Sequence, residues 1–124
     1  MTLKIETHER RTGMYDVSVI GRLDGETYQR LEALLAPMLK PPMRAINFEL
    51  SRLDYVSSMG LRLFLSTIKA AKALKGTVAM TAMQPQVKKV FEIAHLLPSF
   101  SIFEGTEEAD QYFDYLQRHA GEET

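Results

Sequence analysis

The sequence predicts a single α/β domain with a mostly parallel, mixed β-sheet, an N-terminal β-hairpin and about four helices packed mainly on one face. Three observations lead there. Period-two alternation of apolar residues fills the first twenty positions, and helical spacing then alternates with further short period-two runs. Nothing in the 124 residues reads as an internal repeat, linker or low-complexity stretch, so one domain spanning 1–124 is expected, ordered from about residue 3 to about residue 120.

The elements follow in order. Leu3, Ile5 and Thr7, then Tyr15, Val17 and Val19, alternate with polar neighbours and predict two strands joined by the turn Arg10-Arg11-Thr12-Gly13. Gly21 to Gly25 breaks the pattern. Tyr28, Leu31, Leu34, Leu35 and Met38 have helical spacing, ended by Pro41-Pro42. Ile46, Phe48 and Leu50 mark a third strand, followed by a short loop. Leu61, Phe64, Leu65, Ile68, Ala71 and Leu74 form the apolar stripe of a second helix, which Gly76 stops. Val78, Met80 and Ala82 mark a fourth strand. Pro85 suits the first turn of a third helix with Val87, Val90, Phe91 and Ala94 inward. Phe100 to Phe103 reads as a short edge strand. Thr106 caps a last helix whose inner face is Ala109, Tyr112, Phe113 and Leu116, with Glu107 and Glu108 where the dipole favours them. Asn47, Glu49, Thr77 and Thr81 give the middle strands a mixed second face, so that side of the sheet is expected to be partly open.

Fifteen basic and 16 acidic side chains give a formal net charge of −1, which provides no electrostatic pull toward nucleic acid or an anionic membrane. With no cysteine, disulfides, thiolate metal sites and thiol nucleophiles are excluded, and a reducing cytoplasm is the expected compartment. The N-terminus lacks the apolar core of a signal peptide, and no stretch approaches the roughly 20 apolar residues of a membrane span. His8, His95 and His119 have no metal-type spacing, and the glycines form no phosphate loop. Ser57 and Ser58 lie outside a GxSxG elbow and have no evident partner base, which disfavours a hydrolase. No catalytic residue, metal or cofactor is expected.

The informative segment is Leu53-Asp54-Tyr55-Val56-Ser57-Ser58-Met59-Gly60-Leu61-Arg62, where two serines open a strongly amphipathic helix. One reading is capping, in which a serine hydroxyl accepts a bond from a first-turn amide. The other is that the second hydroxyl faces solvent at a helix N-terminus, where free amides and the dipole favour an added phosphate. Asp24, next to Gly25, reads as a turn residue bonding its own backbone. On the outer side of the second helix, Met59, Leu63 and Ala70 point away from the core stripe, with Ser66 close by. Met59 and Leu63 are therefore expected to form the apolar centre of a partner interface, with Arg62 at its rim.

The segment Leu53 to Arg62 resembles the phosphorylation loop of STAS domains, in particular those of bacterial anti-sigma-factor antagonists. Gly21-Arg22-Leu23-Asp24 resembles the family's G-x-L-D turn. Phe48-Glu49-Leu50-Ser51 resembles the strand leading to the loop, and Pro85-Gln86-Val87 through Phe91 and Leu96 resembles the helix after the fourth strand. The resemblance covers nearly the whole chain. It implies a cytoplasmic, non-enzymatic, cofactor-free switch that binds an anti-sigma factor, often a serine kinase, and so frees a sigma factor. Phosphorylation by that kinase weakens the complex, and a PP2C-type phosphatase reverses it. The implied acceptor is Ser58, two residues before Gly60, with Ser57 as the alternative. Asp24 and Ser57 belong to the implied partner-facing surface. Many relatives have aspartate where this chain has Ser57, and glycine where it has His95. Another reading is a STAS subunit of a larger assembly, such as a stressosome-like scaffold or a lipid-transport complex. The pattern leaves oligomeric state open.

Overall fold

The N-terminal hairpin folds as its alternation predicts. In the computed structural model, which describes residues 2–93 and 101–103, β1 (Leu3–Arg11) and β2 (Met14–Leu23) pair antiparallel around Thr12-Gly13. Gly13 takes φ +81°, and a Cβ there would stand 2.2 Å from the Pro42 carbonyl oxygen, so only glycine fits. Strand β2 continues past the break expected at Gly21. Gly21 adopts φ +97° inside the strand, lies against the Thr2 carbonyl and donates its amide to Arg52 O at 2.9 Å. The glycine therefore marks a register shift in the pairing with a later strand without ending β2.

Helix α1 (Tyr28–Leu35) stops earlier than expected. Pro37 has no amide to extend the ladder, so the chain turns before Pro41-Pro42 is reached. Strand β3 (Ala45–Glu49) is followed by β4 (Leu53–Val56), in a segment expected to be a loop. Asp54 and Tyr55 are exposed between the buried Leu53 and Val56, so these four residues do not alternate and give no period-two signal. Helix α2 (Ser58–Ala73), strand β5 (Thr77–Thr81), helix α3 (Pro85–Ile93) and strand β6 (Ser101–Phe103) complete the described elements. Ala82 lies beyond β5 with φ +59°. The last helix expected from Thr106, together with Ala94, His95, Leu96, Phe100 and His119, falls outside the described residues.

The sheet order is β1-β2-β3-β5-β6, antiparallel only at the hairpin. Strand β2 is long enough to hold two parallel partners in succession. Met14 to Ser18 pair with β3, and Gly21 to Leu23 pair with β4. One face carries the core, in which Phe64 of α2 stands edge-on to Phe48 of β3 and 6.0 Å from Phe91 of α3. The opposite face is exposed or half-exposed at Lys4, Glu6, Asp16 and Ser18 on β1 and β2, but closed at Asn47, Ala79 and Thr81 on β3 and β5.

Helix α2 corrects one expectation. Leu63, assigned to the outer surface, is only 6% exposed, and Thr67 is buried with it. The helix packs against α1 as well as β4 and β5, so its buried arc is wider than a single sheet-facing stripe. The solvent side is formed instead by Ser58, Arg62, Ser66, Lys69 and Ala73. That side is charged, not apolar.

Candidate functional site

The β2–β4 pairing brings the two sequence-predicted segments together. Leu23 and Val56 are register partners at the ends of their strands, and the Ser57 amide donates to the Leu23 carbonyl at 2.9 Å. Asp24 therefore follows one strand and the serine pair follows its neighbour. Helix α2 is seated on this corner by Gly60. A Cβ at that position would meet Val56 Cγ2 at 2.8 Å and Leu23 Cδ2 at 3.0 Å. Glycine is needed here for close packing rather than for an unusual backbone angle.

The two serines differ in their surroundings. Ser57 is the N-cap, extended at φ −94° and ψ 176°, and its Oγ accepts from the Gly60 amide at 3.4 Å. This is a long bond, at the weak end of capping interactions. Ser58 is the first helical residue, and it is exposed. It lies where first-turn amides lack intrahelical acceptors and the dipole is positive, and no acidic residue occupies that turn. Met59 is half-buried and Arg62 exposed. Both remain within reach of a partner, whereas Leu63 belongs to the interior.

Asp24 is engaged in its own turn. Its Oδ1 accepts from the amides of Glu26 and Thr27 at 3.0 and 3.1 Å and from Thr27 Oγ1 at 3.2 Å. The bond from Glu26 is the main reason its carboxyl sits below the usual carboxylate range; partial desolvation opposes the shift, and Thr27 and Arg22 add to it. Its Oδ2 lies 3.6 Å from Arg22 Nε, and the Arg22 guanidinium sits 4.0 Å over the exposed Tyr55 ring. Sequence reasoning gave Arg22 and Tyr55 no role, because they meet only as register partners across β2 and a strand read as loop. Among the described residues no cluster of His, Asp or Glu could hold a metal ion, and no helix is long and apolar enough to cross a membrane.

Among the described residues, three helices pack with this sheet around one core, and a capped helix presents a hydroxyl at the sheet corner, which defines a small α/β domain. The chain belongs to the STAS domain family, which it matches over residues 5–109. It is 35% identical over 107 residues to the anti-sigma-B factor antagonist of Staphylococcus aureus, covering 86% of this chain and 98% of that protein. Its fold superposes on the anti-sigma factor antagonist SpoIIAA in its unphosphorylated form, with a TM-score of 0.79 at 21% identity over 88% of this chain and 95% of that one. The Bacillus cell fate determinant SpoIIAA in its phosphorylated form gives 0.72 at 20% identity, covering 88% and 98%. These relatives are regulatory binding proteins, and two states of phosphorylation are recorded for SpoIIAA.

Proposed function

We propose that this protein is an anti-sigma-factor antagonist that sequesters an anti-sigma factor, itself a serine kinase, while Ser58 is unmodified, and releases it once Ser58 is phosphorylated. The observation that carries this reading is the division of labour between the serines: Ser57 occupies the cap and Ser58 stands free beside it. A phosphate on Ser58 adds about −1.5 to −2 charges at a helix start that can hold them, so the domain stays folded while its docking corner changes sign. Asp24, Ser57, Met59 and Arg62 surround that corner. The protein binds its partners in the cytoplasm and performs no catalysis of its own, and a PP2C-type phosphatase restores the binding form. The test is incubation with ATP and each anti-sigma serine kinase of the source genome, followed by peptide mass spectrometry and titration calorimetry. One phosphate on Ser58, with weakened binding in Ser58→Asp and retained binding in Ser58→Ala, is expected. Phosphate confined to Ser57, or unchanged affinity in Ser58→Asp, overturns the assignment.

A further inference from the structure

From Ser58 through Lys75 the chain contains no aspartate or glutamate, yet it carries Arg62, Lys69, Lys72 and Lys75. In a protein of net charge −1 this is a marked local excess. All four cations are exposed, and among the described residues none of them is paired with a carboxylate. Their placement is ordered. At about 100° per residue, Arg62, Leu65, Lys69 and Lys72 all fall within about 40° of the direction of Ser58, at spacings of four, seven, eleven and fourteen residues. The candidate phosphoacceptor thus heads a cationic strip on the solvent side of α2, with the half-buried Leu65 in its middle.

We propose that this strip is the docking surface for an acidic face of the serine-kinase partner, and that its two ends do different work. The inference rests on the antagonist reading above and deepens it. Along the helix axis Arg62 lies about 6 Å from Ser58, and Lys69 and Lys72 about 16 and 21 Å away. The Debye length at physiological ionic strength is about 8 Å. A phosphate on Ser58 therefore acts on Arg62, an i,i+4 neighbour it can pair with, and leaves Lys69 and Lys72 almost unaffected. Lys69 and Lys72 steer the acidic partner in whatever the phosphorylation state, and such long-range attraction acts mainly on the association rate. Ser58 and Arg62 form the close contact, so phosphorylation acts on the dissociation rate.

The experiment is stopped-flow association and dissociation of the full chain with each purified anti-sigma serine kinase of the source genome, at several salt concentrations. Lys69→Glu is compared with Lys4→Glu, an equal charge change on the exposed face of β1. Lys69→Glu is expected to slow association about tenfold at low ionic strength and to flatten its salt dependence, while Lys4→Glu is close to wild type. Ser58→Asp is expected to speed dissociation and keep the salt dependence of association. Circular dichroism melts of both lysine variants should match wild type, which separates a docking effect from unfolding. Wild-type association rates in Lys69→Glu, or equal slowing in Lys4→Glu, overturn the strip while leaving the antagonist reading in place. If no kinase binds the unmodified wild-type protein, it is the antagonist reading that fails. Salt-sensitive self-association abolished by Lys69→Glu, seen in sedimentation velocity, would assign the strip to a second copy of this chain and overturn the proposed occupant.

Discussion

The Leu23 carbonyl accepts the Ser57 amide at 2.9 Å, joining the end of β2 to the cap of α2 through one hydrogen bond. Leu23 also packs under Gly60 and precedes Asp24, so the Asp24 turn, the serine pair and the first turn of α2 form a single corner.

Ser57→Ala removes the cap acceptor of α2. The loss expected is about 0.5–1 kcal/mol, at the low end for capping residues, because the Oγ–Gly60 distance of 3.4 Å is long. Urea denaturation measures it directly. Ser57→Asp should restore the cap and gain from the dipole. A Ser57→Ala protein as stable as wild type would show that the cap contributes nothing.

Gly60→Ala is expected to destabilise, against the usual trend in helices. Alanine gains about 1 kcal/mol over glycine in a helix interior, but its Cβ must here displace Val56 Cγ2 and Leu23 from contacts of 2.8 and 3.0 Å. Overpacking of that kind costs about 1–3 kcal/mol, so the net change is a loss of up to about 2 kcal/mol. A raised melting temperature would show that α2 lifts off the corner at little cost.

For Asp24 the sign follows from its lowered carboxyl pKa. The stabilisation from its charged form is fully present above the usual carboxylate range and is lost as pH falls through the lower folded value. Asp24→Asn keeps an acceptor oxygen for the Glu26 and Thr27 amides but no charge. Wild type should therefore exceed Asp24→Asn in stability at pH 7, with the gap closing below about pH 4. Denaturation curves across that range test it. A gap that does not change with pH would mean that the turn does not favour the carboxylate.

Most of the fold was legible because most of it is periodic. The hairpin, the amphipathic stripe of α2 and Pro85 at the start of α3 all carry a local signal. What was missed depends on neighbours distant in sequence. Strand β4 exists because the end of β2 offers it hydrogen bonds, not because residues 53–56 alternate. Gly21 reads as a breaker until its positive φ is seen inside a continuing strand. At the site, which serine caps the helix needed the helix start fixed to one residue, which the sequence left open. The outer side of α2 was misassigned by placing Leu63 on it, because the packing of α2 against α1 leaves no mark in the spacing of its own residues.

That misassignment leads to a pair of opposed outcomes. Leu63 is 6% exposed and belongs to the same core cluster as Phe64 and Ile68, whereas its neighbour Arg62 faces solvent. Leu63→Ala should cost about 2–5 kcal/mol, the range for truncating a buried leucine. Leu63→Glu adds the burial of a carboxylate within an apolar core cluster, and is expected to leave little folded protein at room temperature. Arg62→Ala should change stability by less than about 0.5 kcal/mol, since it removes an exposed side chain that pairs with no carboxylate among the described residues. Thermal melts of the three variants decide the matter before any partner is added. If Leu63→Glu melts like wild type, Leu63 lies on the surface and returns to the interface with Met59. If it unfolds while Arg62→Ala does not, partner contacts along α2 belong to the side that Ser58 and Arg62 share.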